Sequence, residues 1–261
     1  MADLGDFRTF ILTFSFALPR ILGLFAALPF FSSQILPGMI RMGVAVSMSL
    51  IAVPIVLPLA VSADLDGVTI AAIVVKEAAI GFILGFLVAI LFWGVEAIGA
   101  FIDNQRGATM SSSMNPFTGV DTSLLGMLLN QVMTTIFFVG GGFLLLLAAI
   151  YETYALWPVG SFWPRLEISN STYFLGQMDR LMFIAVILAA PVILAMFISE
   201  LGLALISRFA PQLQVFFLAM PIKSAIAVLV LTAYATFLID YAGTWIRSGW
   251  NPSDIGARIF E

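Results

Sequence analysis

VTIAAIVVKEAAIGFILGFLVAILFWGVEAIGAFI, residues 68–102, runs for 35 residues without a proline and leads directly into DNQRGATMSSSMNPFTGVDTS, residues 103–123. The first stretch predicts one uninterrupted helix. At 1.5 Å per residue it would be about 52 Å long, well beyond a ~30 Å hydrocarbon core. It also carries Lys76, Glu77 and Glu96, each costing ~2.5–3.5 kcal/mol at a bilayer centre on insertion scales. Tilt absorbs a few surplus residues, not all of them. A helix that leaves the membrane for protein neighbours fits better. Gly81-x-x-x-Gly85 within it permits close helix packing. The second stretch cannot continue that helix through hydrocarbon, because it is polar and punctuated by Gly107, Pro116 and Gly119. It is also longer than the roughly 2–8 residues usual between helices. Small hydroxyls (Thr109, Ser111, Ser112, Ser113, Thr118) alternate there with Met110, Met114 and Phe117. Hydroxyls tolerate water, and methionine deforms around what it touches. Two readings stand side by side: a loop that lines or closes a passage, and a plain exposed loop between two membrane helices.

Composition agrees with a membrane chain. Of 261 residues, 61% are hydrophobic and only 10% charged, with a mean hydropathy of +1.09; a soluble domain carries about 25% charge. The fold class expected is all-α, an integral membrane protein of about six long, kinked hydrophobic helices. A net charge of −4 without a basic run gives no nucleic-acid footprint. The sequence has no cysteine and no histidine, which removes disulfides, thiolate chemistry and the commonest metal ligand and general base. No cofactor or metal is expected. The start, MADLGDFRTF, is acidic and lacks signal-peptide character, so the first apolar segment is expected to be retained.

Working outward from 68–123, the apolar segments are 9–31, 39–61, 68–102, 124–151, 179–209 and 215–247. Pro19 and Arg20 interrupt the first, and Arg20 sits too deep to face lipid. Gly140, Gly141 and Gly142 make a soft point in the fourth. Residues 160–178 read as a polar loop with four aromatics, and 248–261 as a polar tail outside the apolar layer. If the segments alternate, five arginines (8, 165, 180, 247, 258) collect on one side and three (41, 106, 208) on the other. That is a weak positive-inside bias. It suggests that partners, more than loop charges, decide how the chain is placed.

No catalytic constellation is present. The GxxxxGK[ST] and HExxH patterns are missing, and Ser111–Ser113 have no histidine anywhere to activate them. Glu77, Glu96, Glu200, Lys223 and Asp240 are charges of the intramembrane type. They read either as ion or proton relays or, preferably, as ion pairs between helices and subunits. Chain geometry suggests specific pairs. Pro211 stops a helix at Ala210, and a hairpin folded near that point brings Glu200 level with Lys223. Arg180 and Asp240 fall about one helical turn out of level.

The stretch RFAPQLQVFFLAMPIKS, residues 208–224, resembles the signature of one membrane subunit of the type III secretion export apparatus, the SctT/FliR family. The residues carrying the resemblance are Arg208, the turn with Pro211 and Gln212, and Pro221 with Lys223. LAMPIKS is closer to the injectisome than to the flagellar branch. Elsewhere the likeness is one of layout: an early Pro-Arg, the long third helix, a polar loop with Asn115-Pro116, and a closing hairpin. The resemblance implies a non-enzymatic core subunit of the export gate, in a helical complex with R-type and S-type subunits. A U-type switch subunit, needle or rod proteins, unfolded secreted proteins and lipid complete its surroundings. It implies residence in the bacterial inner membrane with projection toward the periplasm, within the secretion system base. Residues 1–178 would be R-subunit-like and 179–247 an S-subunit-like hairpin. The loop 103–123 would plug the pore, with Met110, Ser111, Ser112, Ser113, Met114, Asn115, Pro116, Phe117 and Gly119 as the plug. The alternative from a different class is a self-contained proton-coupled secondary transporter.

Overall fold

A computed structural model describes residues 2–32, 35–62, 66–108, 123–162, 170–210 and 215–249. Every regular element among them is helical: α1 (Ala2–Ala27), α2 (Gly38–Ser62), α3 (Gly67–Arg106), α4 (Leu124–Val139), α5 (Gly142–Leu156), α6 (Asn170–Phe209) and α7 (Val215–Gly249), with a short 3-10 turn at Pro29–Phe31. Among the described residues, five helices are long and apolar enough to cross a membrane, and six spans result if α4 and α5 together count as one.

The 40 residues of α3 give a rod of about 60 Å. Its body is Ala, Ile, Leu, Phe and Val without proline, so nothing in the backbone interrupts the ladder. It continues four residues into the polar stretch, because Asp103, Asn104, Gln105 and Arg106 all tolerate helical geometry. Gly107 ends it at φ +81°. There Gly107 N–H donates to the Asn104 carbonyl at 3.1 Å and Ala108 N–H to the Asp103 carbonyl at 3.0 Å. This is a Schellman closure, which glycine adopts without steric cost.

Two expected boundaries differ. The fourth segment is not one helix: it breaks where Gly141 takes φ +81°, and Gly140 N–H closes α4 on the Ile136 carbonyl at 2.7 Å. Residues 160–178 are not all loop, since α6 already starts at Asn170. No proline lies between 165 and 190, and Asn-Ser-Thr at 170–172 is a sequence suited to starting a helix. Polarity here marked the end of the apolar layer, not the end of the helix.

The chain forms two compact units. One comprises Met1–Ile90 with Gly141–Leu175, the other Leu91–Gly140 with Gly176–Gly249. In the first, α1 packs along α2 over a core of Leu12, Phe16, Ala17, Ala52, Val56, Ile73 and Tyr154. In the second, α4 packs along α7, and Ile98, Ile102, Ile184, Leu188, Val192, Met196 and Ala227 form the core.

Glycines set how closely α3 is approached. In the first unit, a Cβ on Gly81 would strike the Arg20 carbonyl, and one on Gly23 the Ala78 carbonyl. A Cβ on Gly85 would lie 2.6 Å from the Leu24 carbonyl. Backbone therefore meets backbone where α1 crosses α3, the use small residues have between membrane helices. In the second unit, a Cβ on Gly99 would overlap Gly126 of α4. Gly81→Val should force α1 off α3 and lower the thermal midpoint of the detergent-solubilised chain by ~5 °C or more. Gly43→Val, with nothing within 4 Å of its Cβ position, should leave the midpoint within about 2 °C.

Candidate functional site

Arg20 is fully buried. A guanidinium cannot shed its charge, so burial demands acceptors around it. Glu77 supplies them: its Oε2 accepts from Arg20 Nε at 2.7 Å and lies 2.6 Å from Nη2. Arg20 Nη1 donates to Thr153 Oγ1 at 2.9 Å and Nη2 to the Trp157 carbonyl at 3.1 Å. The Tyr154 ring lies beneath the guanidinium, 3.8 Å from centroid to Cζ. Lys76 pairs with the other Glu77 oxygen at 2.9 Å. It also donates to the carbonyls of Val159 at 2.7 Å and Ser161 at 3.0 Å. Those carbonyls lie just beyond the end of α5, where a cation is favoured. Three helices of the first unit are thus fastened at one point. Removing either member of such a buried pair costs ~3–5 kcal/mol, because the survivor stays charged and unmatched.

A second polar cluster lies at the base of the central stretch. Asp103, 2% exposed, accepts from Arg106 Nε at 2.8 Å, Ser123 Oγ at 2.7 Å and Leu125 N–H at 3.0 Å. Ser123 Oγ in turn accepts from Gly126 N–H at 2.8 Å, capping α4. One carboxylate therefore joins the C-terminal turn of α3 to the N-terminal turn of α4, satisfying an amide that the helix itself leaves free. The two described ends of the central stretch are held together. Met220 also reaches this base, its Cε 3.5 Å from the Cβ position of Gly107.

Lys223 sits beside the same helix end. Its Nζ lies 2.6 Å from Glu200 Oε2 and 3.4 Å from the Gln105 carbonyl. The ammonium thus joins α6, α7 and the negative end of α3. Glu200 is 45% exposed and Lys223 11%. In water such a pair contributes about 0–1 kcal/mol; covered by lipid or protein, breaking it costs more.

Other sequence-predicted residues are not gathered here. Arg180 and Asp240 are both at exposed positions, and Asp240 lines a pocket with Thr135 and Thr244. Arg208 ends α6 and Pro221 lies within α7. Pro211, Gln212 and the stretch from Met110 to Gly119 lie outside the described residues. Two features went unforeseen from sequence: the partner of Arg20, 57 positions away, and the clasp made by Asp103. The only early signal was the deep arginine.

Together, long apolar helices, glycine-mediated crossings and charges matched across helices define a helical integral membrane protein. No described group of three or more His, Cys, Asp or Glu residues is placed to hold a metal. Residues 11–248 match the family of bacterial export proteins, family 1, and the chain belongs to that family. It is 44% identical to Yop proteins translocation protein T of Yersinia pestis over 252 residues, 96% of each chain. Surface presentation of antigens protein SpaR of Salmonella typhimurium is 36% identical over 82% of this chain and 80% of its own. The flagellar biosynthetic protein FliR of Bacillus subtilis is more distant, 28% identical over 86% and 85%.

A charge exchange tests the Lys223 site. Glu200→Lys should reduce assembly with other membrane subunits, measured by co-purification. Adding Lys223→Glu should restore part of it. Full restoration is not expected, because Glu at 223 would face the Gln105 carbonyl.

Proposed function

We propose that this chain is a core subunit of a type III protein secretion export gate of the injectisome branch. It has no catalytic role there. Unfolded proteins cross the inner membrane through the gate under a separate energy source. The similarity of 44% over 96% of both chains to a Yop translocation protein carries this reading. Similarity to SpaR exceeds that to the flagellar relative, which favours the injectisome branch.

The overlong α3 supports partial projection of the chain from the membrane, on the periplasmic side by the family resemblance. Wide apolar faces support burial against R-type and S-type subunits: Leu50, Ile51, Ile55 and Val61 are exposed on α2, and Leu194, Ile198, Leu201 and Leu205 on α6. Within that assembly, residues 1–178 act as an R-like part, 179–247 as an S-like hairpin and 248–261 as a tail. The U-type subunit and needle or rod proteins are further neighbours.

The stretch 103–123 is read as the plug across the closed passage, with residues 110–119 as its tip. Its support is the Asp103 clasp, which returns the chain to the point it left. The transporter reading is weaker. Glu77, Asp103 and Glu200 are each matched to a nearby cation, and Glu96, which has none among the described residues, is held by the Asn130 amide on the neighbouring helix; the set is suited to fastening helices more than to passing protons.

Deleting 110–119 tests the plug. The variant should assemble with its partners yet admit a small membrane-impermeant dye. Assembly without added leakage would rule the plug out. Single Ser→Ala changes at 111, 112 or 113 should secrete as wild type does, since no chemistry is assigned to those hydroxyls.

A further inference from the structure

One carboxylate on α3 is left over. Glu96 is matched by no lysine or arginine among the described residues. Its partner there is the amide of Asn130 on α4, Nδ2 to Oε2 at 3.0 Å. The carboxylate is partly exposed, and the Asn130 amide oxygen is buried without a donor. The two buried carboxylates on α3 have their cations: Glu77 has Arg20 and Lys76, and Asp103 has Arg106.

The surroundings of Glu96 are apolar. No charge lies between residues 78 and 95. One turn back on each helix stand Trp93, 37% exposed, and Met127, 42% exposed, the i−3 neighbours of Glu96 and Asn130. Glu96 lies ten residues before the end of α3, about 15 Å along the helix. Close backbone packing fixes its position: a Cβ on Gly126 would lie 2.9 Å from the Glu96 carbonyl. The result is a rigidly held negative charge at the centre of an apolar, aromatic and methionine-bearing patch. Arginine and lysine stems pack on such side chains while their heads meet the carboxylate.

We propose that Glu96, held by Asn130, is a docking point for a lysine or arginine projecting from an apolar helix of another subunit. The occupant is fixed by charge complementarity. A carboxylate without a cation among apolar side chains is costly, and a cation carried by a helix can reach it without bringing water. This rests on the reading of the chain as an assembled subunit.

The experiment uses the full chain, tagged and co-expressed with the other membrane subunits of its export gate. Glu96→Gln keeps the size and the Asn130 hydrogen bond while removing the charge. It should lower co-purified partner about tenfold or more, while the isolated variant keeps the wild-type melting midpoint. Glu96→Lys should abolish partner recovery, and a Lys→Glu or Arg→Glu change in one partner subunit should restore it. Partner recovery at wild-type level from both variants would overturn the proposal, as it would if a lipid amine were the counter-cation. A lowered midpoint in isolated Glu96→Gln, with partner recovery per folded chain unchanged, would also overturn it by making the role internal. If the wild-type chain itself recovers no partner, the subunit reading fails first and takes the proposal with it.

Discussion

A guanidinium that cannot lose its proton lies in the interior of an apolar helix assembly, and much of the first unit is arranged to satisfy it. Arg20 reaches Glu77 on α3 and Thr153 and Trp157 at the end of α5. The reach is short only because Gly81 lets the α1 backbone touch α3. Small residues and charges are therefore one device: the glycines set the distance, and the ion pair makes any other distance expensive. Lys76 extends the device by neutralising the second Glu77 oxygen and fastening the turn after α5.

The same logic recurs in the second unit with different residues. Gly99 and Gly126 bring α3 and α4 to backbone contact, and Asp103 uses the closeness to hold Ser123 and Leu125. Lys223 then attaches the α6–α7 hairpin to the end of α3 through Glu200 and the Gln105 carbonyl. Lys223 of the 208–224 motif and the C-terminal turn of α3, far apart in the chain, thus meet at one helix terminus.

Much of this was legible from sequence. Apolar run length gave the helices, and the proline-free stretch from 68 gave the long α3. The helix end expected at Ala210 agrees with α6 closing at Phe209, and counting from that end put Glu200 level with Lys223, which pair. Boundaries were missed where polarity and helicity part company. Residues 103–106 and 170–178 are polar yet helical, because a helix leaving an apolar layer has no reason to stop there. The pairing of Arg20 with Glu77 was not legible, since it depends on which faces of α1 and α3 meet, and 57 intervening residues leave that open. Gly81 and Gly85 signalled close packing without naming the partner. The Asp103 clasp escaped for a related reason. An aspartate in a polar run gives no sign that its acceptors are needed by a helix twenty residues on.

The central claim is that this chain is one part of a larger export assembly, whose partners cover the apolar faces and complete the charge matching. The most direct test is the intact mass of the complex purified on a tag at Glu261 and released from detergent in the mass spectrometer. The account predicts one copy of this chain together with several copies of two other small membrane proteins. A monodisperse species containing this chain alone, stable in mild detergent and retaining its full melting midpoint, would contradict it.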